Sequence, residues 1–169
     1  MMRVLPALVI ALLSWPAGAE LRVVEIRVSG LDCASCVKSV PTALRRVRGV
    51  QATEYRAAEG VVEISLARGN TVTLDRLRDA LKGLGYTPED ARIQVVGEVR
   101  TEEGSAVLVC DAAKLRFPLD VPQHPAIRKL IGTAGEDRIV VEGDVPKKTA
   151  PSGHDILRVR TARFEDEDE

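Results

Sequence analysis

Residues Leu21 to Val50 read LRVVEIRVSGLDCASCVKSVPTALRRVRGV, and a change of period inside this stretch decides the fold. Val24, Ile26 and Val28 alternate with Glu25 and Arg27, the two-residue period of a half-buried strand. Gly30-Leu31-Asp32 breaks the alternation. Val37, Val40, Leu44 and Val47 then recur at helical spacing, and Gly49 supplies a stop. Pro41 falls inside this predicted helix, where proline removes a backbone donor at a cost of about 3 kcal/mol. The helix is therefore either kinked at Pro41 or starts later.

Working outward, Gln51–Ala57 and the alternating Val62, Ile64 and Leu66 read as two strands joined by Ala58-Glu59-Gly60. Leu74, Leu77, Leu81 and Leu84 form a second helical stripe, with Thr73 or Thr71 as its cap and Gly83, Gly85 and Pro88 ending it. A last strand spans Ala91–Val96. The order is βαββαβ, a ferredoxin-like unit over residues 20–93 with both helices on one face of a four-stranded antiparallel sheet.

Residues 94–164 change character. Strands are predicted over Gln94–Arg100, Ala106–Cys110, Lys114–Leu119, Arg138–Glu142 and Ile156–Ala162, with a short helix at Pro125–Ile131 after the third. That is the order of a small oligonucleotide/oligosaccharide-binding (OB-like) five-stranded barrel. The fold class is α+β. No clear linker separates the two units, and Ile93–Val99 reads as one strand open to both.

The ends are distinct. Residues 1–19, MMRVLPALVIALLSWPAGA, combine Arg3, an apolar stretch from Val4 to Leu13 and the small residues Ala17-Gly18-Ala19. This is the pattern of a cleaved signal peptide, and the apolar run is short for a bilayer span. A single Arg is a weak start, so an uncleaved anchor is the alternative. The expected location is periplasmic or secreted, with no direct membrane insertion after cleavage. Glu165-Asp166-Glu167-Asp168-Glu169 is a block of like charge, expected to be a disordered acidic tail at 165–169.

Composition excludes several function classes. The 169 residues carry 24 Lys+Arg against 25 Asp+Glu, so no strongly basic surface for nucleic acid is present. Residues 20–93 hold 12 basic and 10 acidic groups, and residues 94–169 hold 11 and 15. Aromatic side chains are confined to Trp15, Tyr55, Tyr86, Phe117 and Phe164, too few for a base-stacking barrel. No Gly-rich phosphate loop appears, and Ser35 has no nearby His in sequence, so no enzyme activity is expected.

The chemistry lies in Gly30-Leu31-Asp32-Cys33-Ala34-Ser35-Cys36, between strand and helix. Two thiols at this spacing converge on one ion, and the partial positive charge of a helix N-terminus favours thiolate. Thiolates prefer soft ions such as Cu(I) and Hg(II), and also bind Zn(II). Two ligands are too few for a closed structural zinc site. Reversible carriage with open positions for a partner's thiols is the expectation. Asp32 is either a third ligand or the helix cap. Cys110, within Val-Leu-Val-Cys, reads as a buried apolar residue, with a third ligand or intermolecular disulfide as the alternative. His124 and His154 read as loop residues.

Residues Gly30 to Cys36, with the βαββαβ order and Leu84-Gly85-Tyr86, resemble the heavy-metal-associated (HMA) domains of copper chaperones, of periplasmic mercury-binding protein and of metal-pumping ATPases. The likeness covers about residues 23–93. It implies that Cys33 and Cys36 hold a heavy-metal ion, Zn(II), Cu(I) or Hg(II), and that Tyr86 covers the metal loop, the alternative for Tyr86 being a core-edge aromatic. Leu31 stands where the family usually has a Met packed beneath that loop. Asp32 stands where many copper members have Thr, and it resembles the zinc, cadmium and lead branch, in which the carboxylate is a third ligand. Charge gives a reason: a carboxylate beside two thiolates over-neutralises a divalent ion by one charge, but Cu(I) by two.

The leading expectation is a monomeric carrier that exchanges metal with a donor or acceptor protein, such as a membrane metal transporter. A thiol-disulfide redox protein is the alternative, although the aromatic and proline flanks of thioredoxin-type motifs are missing. A non-enzymatic adaptor acting through the barrel is the third reading.

Overall fold

Alternating burial on the first strand organises the molecule. In the computed structural model, which describes residues 20–30, 36–147 and 155–165, strand β1 (Glu20–Ser29) buries Val24, Ile26 and Val28 and leaves Arg27 exposed. The side chains of Cys36, Val37 and Ala112 are outside the description. Helix α1 (Cys36–Leu44) and strands β2 (Val50–Arg56) and β3 (Val61–Leu66) follow, then helix α2 (Leu74–Lys82) and strand β4 (Thr87–Glu102). β1 pairs antiparallel with both β3 and β4, and β2 pairs with β3 at the outer edge.

α1 keeps Pro41 inside it. The carbonyl left without its helical donor belongs to Val37, in the first turn, where the helix has fewest bonds to lose. The Pro41 carbonyl accepts from Arg45 N–H at 3.0 Å and from Thr53 Oγ1 at 3.2 Å, tying the helix end to β2. On α2 the cap is Thr73, whose Oγ1 accepts from Arg76 N–H at 3.2 Å. Leu74, Leu77 and Leu81 are buried, but Leu84 is 37% exposed, which corrects its place in the predicted stripe. The helix stops at Lys82, with Gly83 as its cap, and the chain turns away at Gly85 right after Leu84, which leaves Leu84 off the core face.

β4 starts four residues earlier than predicted, and Pro88 lies within it rather than outside it. Proline fits because a bulge in the β1 pairing, between Ile26 and Val28, interrupts the ladder there. The strand then runs unbroken to Glu102 and enters a second layer of structure. Strands β5 (Ser105–Cys110), β6 (Leu115–Asp120), β7 (Arg138–Val145) and β8 (Leu157–Phe164), with helix α3 (Pro125–Thr133) before β7, complete it.

The eight strands run β2-β3-β1-β4-β5-β6-β8-β7, and β7 returns to pair with β4. Five strands therefore form a closed barrel, with β6 and β8 parallel at Leu119↔Leu157 and the other pairings antiparallel. Closure depends on glycine. A Cβ at Gly97 would stand 2.8 Å from the Val109 carbonyl oxygen, and one at Gly143 would strike the Arg158 carbonyl oxygen at a bulge between β7 and β8.

One apolar cluster runs through both lobes, from Val40, Leu44 and Leu77 to Leu108, Phe117, Ile139 and Leu157. Polar contacts add to the junction. Buried Arg78 on α2 meets Asp155 at 3.1 Å and donates to the Pro146 carbonyl at 3.3 Å, reaching the ends of the β7–β8 connection. Glu165 is held between Arg22 at 2.8 Å and Arg138 at 3.1 Å. The expectation of a disordered tail from residue 165 onward is corrected at that residue, because two arginines fix its carboxylate. No described helix is long and apolar enough to cross a membrane. Residues 1–19 and 166–169 lie outside the described residues.

Candidate metal centre

Leu31, Asp32 and Cys33 fall outside the described residues; the two elements that flank them do not. β1 ends at Ser29, Gly30 takes a φ of +88°, and α1 begins at Cys36. Glycine adopts that backbone without strain, which suits the point where the chain leaves the sheet. The predicted strand end and helix start on either side of that stretch are thus present, and Cys36 occupies the first helical position.

Register puts Tyr86 at the same end of the sheet. Ser29 pairs with Thr87, the residue after Tyr86. Tyr86 is half-buried and packs against the core, and its N–H donates to the Leu81 carbonyl at 3.2 Å across Gly85. Beside this pairing, Ser29 Oγ donates to Glu89 at 3.3 Å, and Lys147 Nζ meets the other Glu89 oxygen at 2.9 Å.

Cys110 belongs elsewhere. It is fully buried at the end of β5, and its thiol donates to the Val96 carbonyl at 3.2 Å. Val96 pairs with Glu20, the opposite end of β1 from Gly30. That separation is about 30 Å at the usual rise of a strand. Burial pushes the Cys110 thiol up to about 12, so it is a neutral thiol at pH 7 rather than a thiolate ligand. His124 is an exposed residue at the start of α3, and His154 lies outside the described residues. Among the described residues no group of three or more His, Cys, Asp or Glu side chains stands close enough to hold a metal.

The sheet face opposite the helices holds a groove of about 420 Å³ that sequence reasoning missed. Glu25 faces Arg56 at 2.6 Å and Arg92 at 3.8 Å, Arg92 faces Asp144 at 3.3 Å, and Asp144 also meets Arg160. These pairs cross from β2 to β8 and so span both lobes. Each carboxylate of the series already faces a guanidinium, so the series presents no free ligand set. The signal was present as alternating charges on β1, β4, β7 and β8, but strand neighbours are set by topology rather than by sequence order.

Residues 25–87 match the family model of the heavy-metal-associated domain. The mercuric reductase of Serratia marcescens is 33% identical over 89 residues, 48% of this chain and 19% of that protein. Copper-transporting ATPase 2 of Rhizobium meliloti (strain 1021) is 39% identical over 62 residues, 37% of this chain and 7% of that protein. The chain thus spans under a fifth of the length of either relative. Among solved structures, a CopZ metallochaperone is 25% identical over 38% of this chain and 94% of its own, with a TM-score of 0.36.

Proposed function

We propose that this protein binds a heavy-metal ion through Cys33 and Cys36 and passes it to a partner by thiolate exchange. One observation carries the reading: a Cys-x-x-Cys pair spans the junction of β1 and α1 inside the segment that matches the heavy-metal-associated domain. The ion is cargo. Cys36 at the first helical position lies where unpaired N–H groups favour thiolate, and a two-thiolate site leaves positions open to an incoming thiol.

Asp32 is the third donor in this reading and biases the site toward divalent ions. Tyr86, at the same end of the sheet, shields the bound ion from water. Leu31 is a supporting residue of the cysteine loop in this reading. The barrel, whose helix follows its third strand, is of the OB type and serves as the platform that presents the carrier to its partner. Export through the segment 1–19 places the protein in the periplasm or outside the cell. It acts as a monomer and without turnover of its own.

The deciding experiment titrates the reduced full chain with Cu(I), Zn(II) and Hg(II), beside Cys33→Ser/Cys36→Ser and Asp32→Ala. One tight ion per chain is expected, lost when both cysteines are replaced. Asp32→Ala is expected to weaken Zn(II) by about tenfold and to spare Cu(I). If the reduced wild type holds no tight ion, the carrier reading falls and a thiol redox assay on the same pair takes its place.

A further inference from the structure

Three cavities line up along β4. The groove of about 420 Å³ touches Ala91 and Arg92, a second of about 190 Å³ touches Arg92 and Gln94, and a third of about 290 Å³ touches Gln94 and Val96. Neighbouring cavities share lining residues, so they join into one trough. β1 forms one wall and β7 the other, because β4 pairs with both. From Asp90 to Val96 the trough follows β4 for about 20 Å at the usual rise of a strand.

Its charges are unequally satisfied. In the middle, register sets Glu25 opposite Arg92, and Arg92 opposite Asp144, so these side chains neutralise one another. Two charges are left over. Arg27 is exposed at one end, and Glu142 is half-buried on β7; neither side chain has an ion pair among the described residues. Asp90 and Glu59, which line the cavity with Arg27, are engaged elsewhere: Asp90 accepts from Lys147 N–H at 2.7 Å, and Glu59 lies 3.7 Å from Arg56. The bulge in β1 sets Arg27 level with Glu89 and Asp90, whereas Glu142 pairs with Gln94. The unpaired cation and the unpaired anion are therefore about 14 Å apart along β4.

This pattern narrows the ligand. A phosphodiester chain carries one sign of charge, finds no partner at Glu142, and has no aromatic side chain in any of the three cavities on which to stack its bases. A neutral glycan leaves both charges unpartnered. A free amino acid is too short to reach both. An extended polypeptide advances about 14 Å in four residues, and residues four apart lie on one face. We propose that the trough along β4 binds an extended peptide segment that carries an acidic and a basic residue four positions apart, the acid against Arg27 and the base against Glu142. Neutral polar residues lie between them, over the self-satisfied middle. Neither thiol of the cysteine loop takes part, so the site is independent of metal binding.

The test measures fluorescence anisotropy of blocked, labelled peptides of the form Ser-X-Thr-Gln-Thr-Z-Ser on the full chain. X and Z are Glu and Lys, Lys and Glu, both Glu, or both Lys. The tighter of the two mixed-charge peptides is expected to bind about fivefold better than either like-charge peptide at low salt. It is also expected to shift backbone amide resonances in residues 25–27, 90–94 and 142–144. Arg27→Glu should make the all-Lys peptide the preferred one, and Glu142→Lys the all-Glu peptide; misfolding cannot produce such opposite switches. Equal binding or no binding of the four peptides overturns the proposal, as does a preference unchanged by both reversals. Resonance shifts confined to residues 45–48 and 67–76, where exposed arginines gather, overturn it too, since they mark net charge alone. Should Glu142→Lys lose its native circular dichroism, Glu142→Gln takes its place and is expected to erase the preference for a mixed-charge peptide over the all-Glu one.

Discussion

The helix-covered lobe and the barrel share β4 yet treat the sheet in opposite ways. In the first lobe, helices seal one face and the other face stays open, lined by alternating charges. Its strand ends remain accessible, and the cysteine loop leaves from one of them. In the barrel the sheet seals itself, so side chains crowd inward and backbone must approach backbone. The thiols reflect the same division. Cys36 stands at a helix start, whereas Cys110 is enclosed and donates to a carbonyl. Where the sheet closes, a cysteine side chain serves as packing.

The largest expected effect breaks the barrel's half of this comparison. Gly143→Ala should destabilise the protein by about 3 kcal/mol in chemical denaturation, because its new methyl group meets backbone that has no room to move. Gly85→Ala in the first lobe is the matched control. It carries a φ of +87° with open space around it, and should lose only about 1 kcal/mol to backbone strain. Similar losses at the two sites would remove the claim that closure is what constrains the barrel.

The junction comes next. Arg78→Met removes the buried guanidinium that half-buried Asp155 faces at 3.1 Å, and should cost about 3 kcal/mol. Thermal unfolding should remain a single transition in the wild type, since one core and β4 serve both lobes, and should separate into two in this variant. A variant as stable as wild type would show that the lobes are held by apolar packing alone.

The smallest effect sharpens the contrast between thiols. The Cys110 thiol is raised in the fold, so the unfolded chain releases that proton first as pH climbs. Its contribution to stability is complete below the unfolded value near 9.0 and declines as pH rises toward about 12. Cys110→Ala should flatten that alkaline decline. In the native protein a thiol reagent at pH 8 should label two cysteines rapidly and the third only on unfolding; rapid labelling of all three would contradict the enclosed position of Cys110.

Much of this architecture was legible because period and punctuation agree. Val24-Glu25-Ile26-Arg27-Val28 fixes a strand and its inward face, and Thr73 with Leu74, Leu77 and Leu81 fixes a capped helix. The barrel strands were found by the same alternation. Leu84 misled, since the stripe continues in sequence past the glycine that ends the helix. Pro88 misled in the other direction, because a bulge in the neighbouring strand, invisible in the sequence around it, is what tolerates it. Of the site, the spacing of Cys33 and Cys36 and the strand-to-helix junction could be read directly. The approach of Tyr86 required the pairing of Ser29 with Thr87, a contact between distant parts of the chain. Glu165 was read as solvated because its two arginine partners lie near the far end of the sequence and at the start of the barrel's fourth strand.

That clamp on Glu165 also bears on chain order. It brings the end of β8 against Arg22 near the start of β1, so the described polypeptide comes close to forming a ring. Turn geometry offers another place to open it. Glu103 and Gly104 both take positive φ between Glu102 and Ser105, a two-residue hairpin joining β4 to β5. A circular permutant that links residue 165 to residue 20 and begins at Gly104 would keep every strand beside its present neighbours. The order in which the elements are synthesised is therefore separable from the shape they reach.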